Sequence, residues 1–220
     1  MKNKYLVLMT VIIAAVAIGF IVVANNMSSG GDIAKTFDAP PSIEGQPVLG
    51  DSEAPVTVVE FADYKCPSCK AWDQSIFPLL KEEYIDTGKV KFIHINTPFH
   101  GEESVLASLA SEAVWQQNQD AFWPYHKEIY RNQPQTQQHD QPWVTEDALL
   151  QMAASLEVGI DVDQLQEDMT NATYKEQVAI DQAVLEQFNV TKTPTIMVNE
   201  HQLNNPFEYE HLVKLIEMEE

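Results

Sequence analysis

The feature that most constrains this chain is a pair of cysteines, Cys66 and Cys69, placed directly after a run of apolar, mostly β-branched residues. That run, 56–61, has the composition of a buried strand. A helical pattern follows from the first cysteine to about Tyr84, and Pro67 fits the first helical turn, where its missing N–H matters least. The cysteines are therefore predicted to lie where a strand delivers the chain to the N-terminus of a helix.

The segment after the cysteines predicts a β-α-β unit. Pro78 should kink the helix or divide it, because proline cannot donate the backbone hydrogen bond of a helix interior. Gly88 ends the helical pattern, and residues 90–95 form a second strand-like apolar run. The length of the whole segment is that expected of such a unit.

The remaining chain is helical in pattern before strand signals return. Residues 102–188 show helical apolar spacing, interrupted by a glutamine-rich loop at 132–142. Strands are predicted again at 195–198 and, as an edge strand, at 200–204, before a closing helix at 207–218. Strands at both ends with helices between them predict an α/β fold in which one sheet is interrupted by an inserted helical domain.

The N-terminus predicts a membrane anchor. Residues 5–24 carry no charged side chain, and about 20 apolar residues cross a bilayer as a helix. Lys2 and Lys4 precede them, which places the following chain on the extracytoplasmic side. A signal peptide cleaved after 22–24 is the alternative, although the apolar region of a signal peptide is usually only about 7–15 residues long. Residues 25–50, rich in serine, glycine and proline, are predicted to be a linker.

The charge of the chain excludes some partners. The formal net charge is −20, from 33 acidic and 13 basic residues. Such a surface repels nucleic acid and anionic lipid headgroups, so neither is a predicted ligand. Acidic residues could bind Ca²⁺ outside the cell, but the sequence has no EF-hand-like loop to support a structural calcium site.

Three kinds of site fit two cysteines spaced C-x-x-C. A structural disulfide is one, although closing so short a loop would stabilise the fold little. A zinc site needs two further ligands, and the histidines with finger-like spacing, His94 and His100, lie too far downstream. We interpret these two as structural or surface residues and predict no metal site. A redox-active dithiol beside a β-α-β unit fits best.

The predicted position of the cysteines assigns their roles. At a helix N-terminus, unpaired N–H groups and the helix dipole favour the thiolate of Cys66, which is the nucleophilic form. Cys69 lies one turn further on, is less exposed and can resolve a mixed disulfide. Lys65 and Lys70 flank the pair and either add positive potential or are solvated charges.

Two separated segments carry a resemblance to a known family. Residues 58–70, with the motif Cys66-Pro67-Ser68-Cys69, and residues 193–196, with Thr193-Pro194, resemble the DsbA family of thioredoxin-like disulfide oxidases. The similarity is greatest to the membrane-anchored BdbD type of Gram-positive bacteria. It covers about residues 45 to 220.

The resemblance implies a second part of the site. Statistics alone favour a trans Thr193–Pro194 bond, since only about 5–6% of X–Pro bonds in folded proteins are cis. The family instead implies a cis Pro194 lying against the cysteine pair. Thr193 would then offer backbone hydrogen bonds to an extended substrate chain, and Pro67 and Ser68 complete the predicted substrate contacts.

The family also carries a buried acid in the first strand, six residues before the first cysteine. Glu60 occupies that position, and the resemblance implies that it transfers a proton to or from Cys69. Strand alternation places it on the same face as the apolar Val58, which favours burial. The alternative is an ordinary outward-facing strand residue.

The function implied is a disulfide oxidase that acts on exported, unfolded proteins. It would need no cofactor beyond the Cys66–Cys69 disulfide and would be reoxidised by a quinone-linked, DsbB/BdbC-like membrane thiol oxidase. Ser68 is a weaker thiolate-stabilising donor than the histidine of some family members, but the glycine-proline dipeptide of reducing thioredoxins is also absent. The alternatives are a reductase or isomerase, as in cytochrome maturation, and a non-catalytic peptide-binding module or chaperone with an inert disulfide.

These inferences give one predicted organisation of the chain. The protein is a single-pass protein of the cell membrane with an extracytoplasmic catalytic domain of thioredoxin-like α/β fold (β-α-β … β-β-α). Its predicted parts are a cytoplasmic N-terminus 1–4, a transmembrane anchor 5–24, a linker 25–50, a first thioredoxin-like part 51–100, a helical insertion 101–188 and a second thioredoxin-like part 189–220.

Overall fold

The computed structural model of the protein describes residues 33–135 and 142–220. The predicted anchor, residues 5–24, lies outside these residues. Within the two described ranges, no helix is long and apolar enough to cross a membrane.

Six strands of the described residues form one mixed sheet in the order β1-β6-β5-β3-β4-β2. The central strands β3 and β4 are parallel, and the other neighbouring strands pair antiparallel. The strands are β1 Ala34–Thr36, β2 Val48–Leu49, β3 Val56–Ala62, β4 Val90–Asn96, β5 Thr195–Val198 and β6 His201–Leu203.

Eight α-helices accompany the sheet in the described ranges, and five of them lie in sequence between β4 and β5. They are α1 Pro67–Ser75, α2 Phe77–Leu80, α3 Glu102–Gln117, α4 Gln119–Asn132, α5 Glu146–Ala154, α6 Val162–Asn171, α7 Lys175–Gln187 and α8 Tyr209–Glu219. A π-helical turn, Lys81–Ile85, continues α2. The helix after the cysteines is divided at Ile76, as Pro78 predicts, because proline has no N–H to donate to the preceding turn.

The linker prediction is wrong at two places. Ala34–Thr36 pairs with β6 and Val48–Leu49 pairs with β4, so both belong to the sheet. Strands of two or three residues are too short to show a period of two, and their pairing is decided by the partner strand. The predicted edge strand at 200–204 is not at the edge of the sheet, because β1 pairs with its outer side and β6 therefore lies between β1 and β5.

The core explains why the cysteines lie where they do. One cluster packs residues of β3 and β4, such as Phe61 and Ile95, against α7 residues such as Leu185. A second cluster contains Cys66 and Cys69 together with apolar residues of α3 to α6. The cysteine pair therefore lies where the end of the central sheet meets the helices inserted between β4 and β5.

Candidate active site

The turn from β3 into α1 has the geometry that the sequence predicts. Cys66 is the N-cap of α1, with an extended backbone (φ −76°, ψ 117°), and Pro67 follows in the first turn. The carbonyl of Cys66 accepts hydrogen bonds from the N–H groups of Cys69 (3.1 Å) and Lys70 (3.3 Å). The first residue of the pair thus lies at the helix end where N–H groups are unpaired.

The surroundings of Cys66 favour its thiolate. Both cysteines are free thiols. A hydrogen bond from the Cys69 thiol lowers the pKa of Cys66 to about 5, although burial opposes it. The side chain of Thr193 and the N–H groups of Cys69 and Ser68 also stabilise the thiolate. At neutral pH, Cys66 is therefore the reactive group of the pair.

The surroundings of Cys69 have the opposite effect. Its side chain is fully buried (0% exposed), and burial raises its pKa well above the usual value. The hydrogen bond with Cys66 and the negative charge of the Cys66 thiolate raise it further, as would Glu60 whenever it is ionised, and the N–H of Asp63 (3.5 Å from Sγ) lowers it. The two thiols, three residues apart, are therefore held in opposite protonation states.

The second segment of the predicted site lies against the first. The Thr193–Pro194 bond is cis, as the resemblance implies. The Cys66 thiol donates to the carbonyl of Thr193 at 3.4 Å. Ser68 is exposed, Pro67 and Thr193 are half-buried, and Pro194 is buried. The cis-proline segment therefore lies against Cys66 through the Thr193 carbonyl.

Glu60 is buried, as its alternation with Val58 predicts. It is 1% exposed and lies on β3, opposite His94 of β4 and Ile196 of β5. Burial raises the pKa of Glu60 well above its usual range, and the charges of Asp73 and Cys66 raise it further. The shift favours the protonated form of this carboxyl group, which can then hold a proton near Cys69.

A buried polar group around Glu60 was not predicted. His94 is 0% exposed, and burial lowers its pKa to about 4, so the imidazole is neutral. Its Nδ1 lies 3.9 Å from Oε2 of Glu60, and its ring centroid lies 4.6 Å from that of His126. The alternative of a surface position for His94 is therefore wrong. The parallel register of β3 and β4 sets His94 opposite the buried Glu60 and is the signal that could have predicted its burial.

Two groups among the described residues could hold a metal ion. Glu60, His94 and His126 are buried and offer ligand atoms within 4.8 Å of one another. The second group, Glu200, His201 and Glu219, is half-buried. Neither includes a cysteine, so neither is the zinc site considered for the C-x-x-C pair.

Lys65, which precedes the pair, neither adds uncompensated positive potential nor is a solvated charge. Lys65 is buried, and its Nζ lies 2.7 Å from Oε1 of Glu103, so its charge is compensated. Oε2 of Glu103 accepts hydrogen bonds from the N–H groups of Trp143 (2.9 Å) and Val144 (2.8 Å). Lys65 therefore ties the cysteine turn to α3 and to the chain before α5.

Asp63 organises the same turn. Its Oδ1 accepts from the N–H of Lys65 (2.8 Å) and from the hydroxyl of Ser104 (2.8 Å). Its Oδ2 accepts from the N–H groups of Phe99 (2.8 Å) and His100 (3.1 Å) and contacts His100 Nδ1 at 2.7 Å. One buried carboxylate thus joins the cysteine turn, the loop after β4 and the start of α3.

Comparison with known proteins agrees with this arrangement. The family model Thioredoxin_4, described as Thioredoxin, matches residues 42–218. Disulfide bond formation protein D of Bacillus subtilis is 43% identical over 195 residues, which cover 89% of this chain and 85% of the relative. The probable disulfide bond formation protein D of Bacillus anthracis is 41% identical over 174 residues, covering 79% and 78%.

Solved structures show the same similarity. The crystal structure of oxidised BdbD from Bacillus subtilis matches with a TM-score of 0.79 at 43% identity, covering 84% of this chain and 98% of that one. DsbA of Chlamydia trachomatis shares the fold, with a TM-score of 0.70 at 20% identity over 81% of this chain and 92% of that one.

A C-x-x-C pair at a strand-to-helix turn, facing a cis-proline segment, defines a thiol–disulfide oxidoreductase of thioredoxin-like fold. The chain belongs to the DsbA family, and within it to the group of disulfide bond formation protein D, the BdbD type.

Proposed function

We propose that the protein is an extracytoplasmic oxidase that introduces disulfide bonds into exported, unfolded proteins through Cys66 and Cys69. The observation that carries this proposal is the contrast between the two thiols, with the pKa of Cys66 lowered to about 5 and that of Cys69 raised. A low pKa makes Cys66 a good leaving group, so the disulfide between the two cysteines is oxidising. The similarity to disulfide bond formation proteins supports the same direction.

The exchange proceeds in two steps. A substrate thiolate attacks Sγ of Cys66, a substrate–Cys66 disulfide forms, and the Cys66–Cys69 bond breaks with Cys69 leaving as a thiolate. A second substrate thiolate then attacks the substrate sulfur of the mixed disulfide, and Cys66 leaves as a stabilised thiolate. The substrate loses two electrons, which the cysteine pair gains.

The surrounding residues assist these steps. Glu60, neutral and buried, gives its proton to the Cys69 thiolate and takes it back when the pair is reoxidised. Thr193 offers its backbone to an extended substrate, with Pro67, Ser68 and Pro194 shaping the surface beside Cys66. The partly buried positions of Pro67 and Thr193 support this arrangement.

The cellular setting is a further part of the proposal. Residues 5–24 would anchor the protein in the cell membrane by a single helix, with the catalytic domain outside. A DsbB/BdbC-like, quinone-linked membrane thiol oxidase would restore the Cys66–Cys69 disulfide. The uncharged N-terminal run supports the anchor, and the similarity to BdbD supports the exported substrates and the partner.

The reduction potential of the pair tests the oxidase proposal. Stabilisation of the Cys66 thiolate favours the reduced form, so the potential should lie above about −180 mV. Equilibration with glutathione buffers, read by mass spectrometry of the alkylated protein, measures it. A potential near the thioredoxin value of about −270 mV would make the protein a reductase instead.

Replacement of Glu60 by glutamine tests the proton transfer. Glu60→Gln keeps the size and the neutral charge but removes the exchangeable proton, so reduction of the disulfide by a thiol at pH 7 should be about 10²-fold slower. The difference should shrink at alkaline pH, where wild-type Glu60 has itself lost its proton. Stopped-flow measurement of the reduction rate against pH checks this.

The control for that experiment is Glu82→Gln, which changes an exposed carboxyl on the π-helical turn. It should leave the rate unchanged. Equal rates for Glu60→Gln and wild type at pH 7 would show that Glu60 takes no part in the exchange.

A further inference from the structure

Gln133 is the first residue after α4, and the end of that helix fixes its backbone. Its N–H donates to the carbonyls of Ile129 and Tyr130, both at 3.2 Å. The residue is 4% exposed although its side chain is polar. A buried amide needs hydrogen-bond partners, and those of Gln133 belong to the cysteine turn.

The side-chain amide of Gln133 binds the backbone on both sides of Lys65. Its Nε2 donates to the carbonyl of Tyr64 at 2.6 Å and to the carbonyl of Cys66 at 3.2 Å. Because both neighbours are carbonyls, the amide must present its nitrogen to them, and its orientation is fixed. Oε1 has no hydrogen-bond partner among the described residues, so these two contacts account for the side chain's hydrogen bonds to the protein.

The backbone of Gln133 is bound from the opposite side of the motif. Nζ of Lys70 donates to the carbonyl of Gln133 and, at 3.5 Å, to that of Arg131. A lysine at the C-terminal end of α4 also compensates the negative end of that helix dipole. Tyr64 and Lys70, which bracket the two cysteines, are thus both bonded to this one residue.

The carbonyl of Cys66 connects Gln133 to the first turn of α1. It also accepts the N–H groups of Cys69 and Lys70 that form the first turn of α1. The orientation of this carbonyl therefore fixes the backbone conformation of Cys66, the N-cap residue. It thereby fixes the position of Sγ relative to the N–H groups of Ser68 and Cys69. Those groups lower the pKa of Cys66, and their effect requires a fixed geometry.

We propose that Gln133 is a positioning residue for the nucleophile: its amide holds the Tyr64 and Cys66 carbonyls so that the Cys66 sulfur stays against its stabilising donors. The inference rests on the proposed role of Cys66. The end of α4 then influences the redox properties of the cysteine pair, in addition to packing beside the pair in the core.

The test uses Gln133→Met, which keeps the length of the side chain and removes both donors. In the reduced full-length protein, thiolate absorbance against pH gives the pKa of Cys66, and glutathione buffers give the equilibrium constant of the pair. We expect about fivefold less Cys66 thiolate at pH 5 and a shift of about tenfold in the glutathione constant towards a less oxidising pair.

The matched control is Gln46→Met. Gln46 is also buried, and its Nε2 donates at 2.6 Å to Asp181 of α7, outside the cysteine turn. Both variants should lower the melting temperature, but only Gln133→Met should change the Cys66 thiolate. A merely structural role for Gln133 would make the two variants alike.

An unchanged Cys66 pKa and glutathione constant in Gln133→Met would overturn the inference, whatever the melting temperature. If that variant does not fold, Gln133→Asn, which keeps the donors but shortens their reach, decides by the same two measurements. An ordinary Cys66 pKa in the wild type would instead contradict the proposed function, so the two failures are distinguishable.

Discussion

Cys66→Ala should abolish exchange with substrate thiols, whereas Cys69→Ala should trap substrates as mixed disulfides. The thiolate at the helix N-terminus makes the bond to the substrate, and the one other cysteine of the chain, Cys69, is fully buried. Without Cys69 the reduced protein still attacks a substrate disulfide, but the mixed disulfide has no internal thiol to resolve it. Non-reducing electrophoresis and mass spectrometry of a reaction with a small disulfide-containing substrate would show both results.

Each variant is the control for the other, since both remove one sulfur from the same turn. The melting temperatures of the two reduced proteins show whether either change disturbs the fold. Mixed disulfides accumulating in Cys66→Ala, with none in Cys69→Ala, would mean that the nucleophile has been assigned to the wrong cysteine.

Asp63→Asn should lower the free energy of unfolding by about 3 kcal/mol or more. Asp63 is 2% exposed, and both of its carboxylate oxygens accept bonds from N–H or hydroxyl donors of three chain segments. Asparagine would turn an NH₂ group towards some of these donors, and a lost hydrogen bond to a buried charged group costs about 1.5–3 kcal/mol. Urea denaturation of the oxidised protein measures the change.

The control is Asp86→Asn, which removes a carboxylate paired with Lys81 at the surface. With side chains 36% and 53% exposed, that pair should contribute less than about 1 kcal/mol. If the two variants unfold at the same urea concentration, Asp63 does not hold the turn together in the way the hydrogen bonds indicate. If Asp63→Asn lowers the free energy of unfolding and Asp86→Asn does not, we also expect Asp63→Asn to slow thiol–disulfide exchange, because Asp63 holds the turn that positions Cys66.

The central part of the fold could be predicted because its signals are local. The apolar run before Cys66, the second run before Asn96 and the helical spacing between β4 and β5 each exceed the length at which a period can be recognised. Strands β1 and β2 could not be predicted, because a pair such as Val48–Leu49 has no pattern of its own and is strand only through its bonds to β4.

The residues of the site likewise fall into those that the sequence could predict and those that it could not. The C-x-x-C spacing predicts the roles of Cys66 and Cys69, whereas Glu60 is identified through the family resemblance, with strand alternation indicating only its burial. Glu103 and Gln133 approach the turn from more than thirty residues away, and nothing in their own sequence surroundings marks them. Lys65 was misjudged for the same reason, since its compensating charge lies on α3.

The pH dependence of alkylation of the reduced protein tests the central claim most directly, because it reads the two thiols separately. After brief treatment with iodoacetamide, mass spectrometry of the peptides would give the rate at each cysteine. We expect Cys66 to react first, with a rate that is half-maximal near pH 5, and Cys69 to remain unmodified at neutral pH. A half-maximal rate near the free-cysteine value of about 8.5, or faster reaction of Cys69, would contradict the account.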